Sequence, residues 1–249
     1  MLNPKSIFAV IGAAAAAVLP VGIHDAHATL TCTATVCTSF IDTVNTQVVG
    51  PAPYAVMTLT LTSATTAHVE FDSFNNGSLL YLMGGATAAA VNVNAATFTV
   101  ANITGNNTLG ETGFTAGPFS DGGAATLNGF GSFNQTITDF DGFAHAVDKI
   151  TFDLTDTSGI WSSASVVLAA NGSGFFDGIH VFPCAVTGGD PTTCLQSNGV
   201  ATTTGFAVEG GPIITTSGPP LVPEPSALGL LGTALGALGL IGWPRRKSA

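Results

Sequence analysis

The chain has 249 residues, of which 15 are Asp or Glu and only 5 are Lys or Arg, for a net charge of −10. Charged residues make up 8 % of it, hydrophobic ones 46 %, and glycine occupies 31 positions. So few cations cannot neutralise a phosphate backbone, which excludes nucleic-acid binding, and the acidic excess repels anionic membranes and anionic polymers.

The first 28 residues read as a secretory signal peptide. Lys5 supplies the positive start, Ile7–Leu19 the apolar run and Ala26-His27-Ala28 the small-x-small cleavage site, leaving Thr29 as the first mature residue. The apolar run is 13 residues long, too short for a permanent span. The exported part, Thr29 to about Leu221, holds thirteen acids and one base, Lys149. Neutral polymers, divalent cations and other proteins remain as partners.

Export places Cys32, Cys37, Cys184 and Cys194 in an oxidising compartment, where an even count predicts disulfides. Of the three pairings open to four cysteines, Cys32–Cys37 with Cys184–Cys194 closes the least chain. Gly188-Gly189-Asp190-Pro191 supplies a reversal inside the second loop. A metal site is the rival, but no C-x-x-C occurs.

Residues 29–217 read as one exported domain, large enough for a sizeable core. Val56–Thr62 alternates apolar residues with Thr, the pattern of a strand with one buried face. Short runs of the same kind stand at Ala67–Asp72, Leu79–Met83, Thr97–Ile103, Lys149–Leu154, Ser165–Ala169, Gly178–Phe182 and Gly205–Glu209. Asn-Gly or Asp-Gly pairs at 76, 121, 128, 141, 171, 177 and 198 predict tight turns. Gly84–Ala96 has room for a helical turn, and Gly105–Gly131 reads as long loops or irregular strands. The predicted fold class is all-β, an antiparallel two-sheet sandwich or jelly roll, flanked by a signal helix and a C-terminal transmembrane helix.

Candidate chemistry is sparse. His68, His145 and His180 survive export, but no G-x-S-x-G nucleophile turn accompanies them, and structural roles are expected. Asp139 and Asp141 form a D-x-D-G fragment able to contribute to a calcium site, although the rest of an EF-hand loop is missing. Asp153 and Asp156 form a second acid pair; either pair could instead serve a glycosidase, or simply be turn residues. No catalytic residue and no obligatory cofactor is assigned. The sixteen Phe residues are expected to fill the core, and so is Trp161, with a sugar-stacking platform as its alternative. Thr58, Thr60 and Thr62 share one strand face, with Thr97 and Thr99 on a second; this is a thin basis for an ice-binding plane.

The C-terminal segment is ordered in three parts. Residues 218–226 are a Pro-rich linker ending in Val222-Pro223-Glu224-Pro225-Ser226, stiffened by two fixed φ angles. Ala227–Trp243 is an uncharged run of 17 residues, ~25 Å as a helix and therefore marginal for a ~30 Å hydrocarbon core. Residues 244–249 carry Arg245, Arg246 and Lys247, which would hold that end in the cytoplasm. The alternative for the apolar run is a buried core helix, which would not need three cations immediately beyond it.

This order resembles the PEP-CTERM sorting tail of exported bacterial proteins. The resemblance covers the tail only. It implies passage through the general secretory machinery and a pause in the inner membrane. Processing at the recognised residues Pro223, Glu224 and Pro225 by an exosortase, a membrane protease, would follow. It also implies an association with exopolysaccharide production. The expected role is a non-enzymatic adhesive or structural module at the cell surface or in the extracellular matrix, in contact with neutral exopolysaccharide. The alternatives are a carbohydrate-active enzyme, a calcium-dependent carbohydrate-binding domain and, last, an ice-binding protein.

Overall fold

The computed structural model describes residues 30–45, 48, 50–76, 78–109, 114–139, 142–185, 194–195, 201–210 and 214–215. The signal peptide, the linker, the apolar run and the basic end all lie outside those residues. Among the described residues no helix is long and apolar enough to cross a membrane.

In chain order the strands are β1 (Thr31–Cys32), β2 (Val36–Ile41), β3 (Thr43–Val44), β4 (Ala55–Leu61) and β5 (Thr66–Ser73). Next come β6 (Asn75–Asn76), β7 (Leu79–Met83), β8 (Ala89–Val91), β9 (Phe98–Asn106) and β10 (Phe119–Leu127). The last are β11 (Gly131–Asp139), β12 (Lys149–Asp156), β13 (Phe175–Ala185), β14 (Gly205–Gly210) and β15 (Ile214–Thr215). Two short 3₁₀ turns, Gly142–His145 and Ala164–Val166, interrupt them.

The strands form a two-sheet sandwich. The front sheet has seven strands in the order β15-β1-β2-β4-β5-β12-β9, and the back sheet has eight, running β10-β11-β8-β13-β14-β3 with β7 also on β13 and β6 on β7. Pairings are antiparallel except β1 with β15. Alternation sets the front sheet: in β5 and β12 every second residue is buried. Met57, Leu59, Val69, Phe71, Phe152 and Leu154 thus meet Val91, Ile137, Ile179, Val181 and Ala207 of the back sheet in one core. Trp161 joins that core, its indole N–H donating to the Asn94 carbonyl at 3.0 Å, as expected of a filler rather than a platform.

The back sheet is covered on its other face too. Leu80, Leu82, Phe143, Phe182 and Leu195 form one outer cluster, and Leu127, Phe130, Phe133 and Val208 another. That is why β13 is buried at nearly every position rather than at alternate ones. Among the described residues the front sheet keeps an open face across its strands, and the back sheet is exposed mainly along its edge strand β10.

Several local expectations are corrected. Asp177-Gly178 is no turn but the interior of β13, where a Cβ on Gly178 would stand 2.7 Å from Leu127 Cδ2; glycine lets Leu127 lie on the strand. Asp121-Gly122 lies inside β10, where the register to β11 shifts on both sides of Gly123, a β-bulge. Asn128-Gly129 does turn the chain between β10 and β11, with Gly129 at φ 89°. Ser165–Ala169 folds around a 3₁₀ turn rather than a strand, and Gly84–Ala96 holds β8 rather than a helical turn. Ala89 and Val91 are drawn into the core there, between β11 and β13.

Candidate functional site: the open face of the front sheet

Cross-strand register builds this face from residues far apart in sequence. One row runs Thr31, Thr38, Thr58, Glu70, Thr151 and Thr104 over six strands. A second runs Val36, Thr60, His68, Asp153 and Ala101, and a third Phe40, Val56, Asp72, Lys149 and Asn106. Strands lie ~4.8 Å apart, so each row is a ladder of evenly spaced groups. Thr62 does not extend it, for its hydroxyl caps the following turn at the Thr66 carbonyl.

Charges on the face are paired with one another. Lys149 Nζ lies 2.9 Å from Asp72 Oδ1 and 3.1 Å from Glu70 Oε2. Burial pushes the Asp72 carboxyl up, while hydrogen bonding to Asp72, and then to Lys149, holds Glu70 below its ordinary value. Asp72 therefore keeps a proton more readily than its neighbour two residues away. The same contacts, led by Asp72, raise the Lys149 ammonium.

Beside this group, His68 Nδ1 and Asp153 Oδ1 are 2.7 Å apart, and Asn102 Nδ2 donates to Asp153 Oδ2 at 2.7 Å. Burial works to raise the Asp153 carboxyl, but the bonds from Asn102 and His68 outweigh it and keep it low. Asn102 reaches Asp153 from the left-handed region, φ 53°, at a register shift between β9 and β12. Asn tolerates that backbone better than most residues. Thr104 and Thr151 share a hydroxyl bond of 2.7 Å. At one edge Phe40 is 44 % exposed, stacked near-parallel on Phe74 at 6.2 Å. The face thus offers hydroxyls, amides and one aromatic surface, with its charges already satisfied internally.

The remaining predicted residues do other work. His180 is clamped between Phe206 at 4.2 Å and Phe143 at 4.8 Å, its nitrogens bonded to the Ala86 carbonyl and the Thr204 hydroxyl. Burial lowers its pKa to about 4. His145 Nδ1 bonds the Thr115 carbonyl. Asp156 accepts from Ser158 and Gly159 and holds a turn, which lowers its carboxyl. It is not brought to Asp153. Asp139 is buried at the end of β11, and Asp141 lies outside the described residues. Among the described residues no group of three or more His, Cys, Asp or Glu is arranged to hold a metal ion.

Both expected disulfides form. Cys32 and Cys37 are direct partners across β1 and β2, with Cα atoms 4.0 Å apart. Cys184 and Cys194, 5.2 Å apart, tie the end of β13 to the outer cluster around Leu80 and Phe182. The sorting residues Val222–Ser226 and Arg245–Lys247, and the cleavage residues Ala26, Ala28 and Thr29, lie outside the described residues.

Sequence reasoning missed the groupings Glu70–Lys149–Asp72 and His68–Asp153–Asn102. Alternation alone shows that His68, Glu70 and Asp72 share a face, as do Lys149, Thr151 and Asp153. What it cannot show is that β5 pairs with β12. The chain matches no protein-family model, no curated protein and no solved structure.

Proposed function

We propose that this chain is an exported surface or matrix protein whose sandwich binds neutral extracellular polysaccharide through the open face of the front sheet, without turning it over. The chemistry of that face carries the reading. Thr38, Thr58, Thr60, Thr104 and Thr151 present hydroxyls, and Asn102 and Asn106 amides, on adjoining strands. Hydroxyls both donate and accept, which suits a sugar chain that does the same. Internally paired charges need not be stripped of partners by an uncharged ligand. The acidic surface disfavours anionic polymers.

Delivery rests on the two ends of the sequence. Met1–Ala28 directs export through the secretory machinery, residues 227–249 hold the chain in the inner membrane, and an exosortase-like protease cuts near Pro223–Ser226 to release the module. Two disulfides fit an extracytoplasmic compartment. An ice-binding role gains Thr rows from the register but loses the unbroken plane, because β5 sets His68, Glu70 and Asp72 in the middle of them.

A glycan array probed with the exported chain and with a Thr58→Val/Thr151→Val variant tests the reading. Binding by the parent that drops at least tenfold in the variant supports it. Equal binding by both, or release of sugar products, overturns it. The delivery part fails if intact mass of surface material still includes Trp243 and Arg245.

A further inference from the structure

We propose that Asp177 and Glu209 form a proton-holding clasp between the two sheets, a carboxyl pair that closes the sandwich when protonated and loosens it when ionised. The two residues are direct partners across β13 and β14, and neither side chain has any exposure. Ser39, on β2 of the opposite sheet, donates its hydroxyl to Asp177 Oδ2 at 2.6 Å. That bond crosses the core from one sheet to the other. Asp177 Oδ1 and both oxygens of Glu209 are buried without a hydrogen-bond partner.

Among the described residues no positive charge answers this pair. The elements around it contribute Ser39 and Asp42 from β2 and the bend after it, Val91 of β8 opposite Asp177, and Thr43 and Val44 of β3 beside β14. Asp42, whose amide donates to the Val208 carbonyl, is a third acid, and Tyr54 beyond it a phenol raised by burial and by Asp42. Lys149, the one cation between residues 30 and 215, is engaged on the open face with Glu70 and Asp72. Two adjacent carboxylates in such a place would repel each other without solvent to screen them, whereas two carboxylic acids are neutral and can donate.

The burial of the pair governs how it holds its protons. Burial raises Asp177 to about 7 against the pull of Ser39 and the Glu209 backbone. Burial, then the charges of Asp177 and Asp42, push Glu209 to about 9. The two protons leave as properties of the pair. Carboxyls raised on folding contribute stability that is complete below their unfolded values and is lost as pH rises through the folded ones. Each group shifts the folding equilibrium by up to about tenfold per pH unit inside that window. The seam between β2 and the β13–β14 hairpin is therefore tight in acid and weakened in alkali. This device is independent of the polysaccharide reading.

The test uses the full chain in detergent, with urea unfolding from pH 5 to pH 9 and infrared detection of protonated carboxyls. The expected result is a protonated-carboxyl band that survives at pH 7 and shrinks in Glu209→Gln to the part that Asp177 contributes. Across the same range the folding equilibrium of the parent should weaken at least a hundredfold more than that of the variant. Loss of the band by pH 6 in the parent overturns the clasp, even if the variant fails to fold. So does a parent that parallels Glu209→Gln within twofold at every pH. Saturable stabilisation by calcium, tenfold or more and abolished in Glu209→Gln, would also overturn it, showing a cation where protons are proposed.

Discussion

Lys149→Met removes the ammonium that serves two carboxylates while keeping an unbranched apolar stem on β12. Lys149 touches Asp72 at 2.9 Å and Glu70 at 3.1 Å, with the three side chains between 26 % and 34 % exposed. Exposed ion pairs contribute about 0.2–1 kcal/mol each, and breaking a fully buried one costs about 3–5 kcal/mol. Two partly screened pairs, plus the repulsion left between Glu70 and Asp72, put the loss at roughly 1–2 kcal/mol at neutral pH. In a domain of this size that lowers the unfolding midpoint by roughly 2–8 °C.

The pH profile separates this cause from lost packing. Glu70, held below its ordinary 4.5, stabilises above that value and loses its contribution as pH falls through the lowered one. Lys149, raised above 10.5, contributes in full below that value and loses its part as pH rises through the raised one. Asp72 runs the opposite way to Glu70, because burial raises it. The cost of Lys149→Met should therefore be largest near neutrality and fade as pH falls through the lowered Glu70 value, towards about pH 2. Urea unfolding of parent, Lys149→Met and Lys149→Arg at both pH values is the assay. An equal cost at both, or an Arg variant as weak as Met, refutes the ion-pair account.

Removing the Cys184–Cys194 bridge with a double Ser variant frees a loop of separation 10 and should cost about 2–3 kcal/mol, read from non-reducing peptide maps and denaturant midpoints. His180, lowered to about 4 by burial, gives stability that is present above the unfolded value of 6.5 and falls as pH drops towards 4. His180→Phe should remove that acid-side slope in calorimetry between pH 7 and pH 4. Gly129→Ala should cost roughly 1–2 kcal/mol, because φ 89° strains any Cβ and the new one would sit 2.9 Å from Asn45 Cβ. An unchanged midpoint would mean the turn between β10 and β11 can relax.

Strand identity was legible in much of the front sheet, where one face is wet, although β2 (Val36–Ile41) alternates as cleanly and was not among the expected runs. Lys149–Leu154 and Ala67–Asp72 alternate without exception, and both became strands slightly longer than expected, because period-2 burial is a local property of the chain. The local disulfides followed from chain-closure entropy, and Trp161 from the expectation that the aromatics fill the core. Where both faces are covered, the local signal misled: Asp177-Gly178 reads as a turn, yet tertiary packing places it mid-strand, with the Asp in the core and the Gly beneath Leu127. The open face is legible only as separate stripes. Its working groups arise when β5 pairs with β12 and β12 with β9, contacts spanning dozens of residues. Non-local pairing is set by how two sheets share one core, and no window of sequence contains that information.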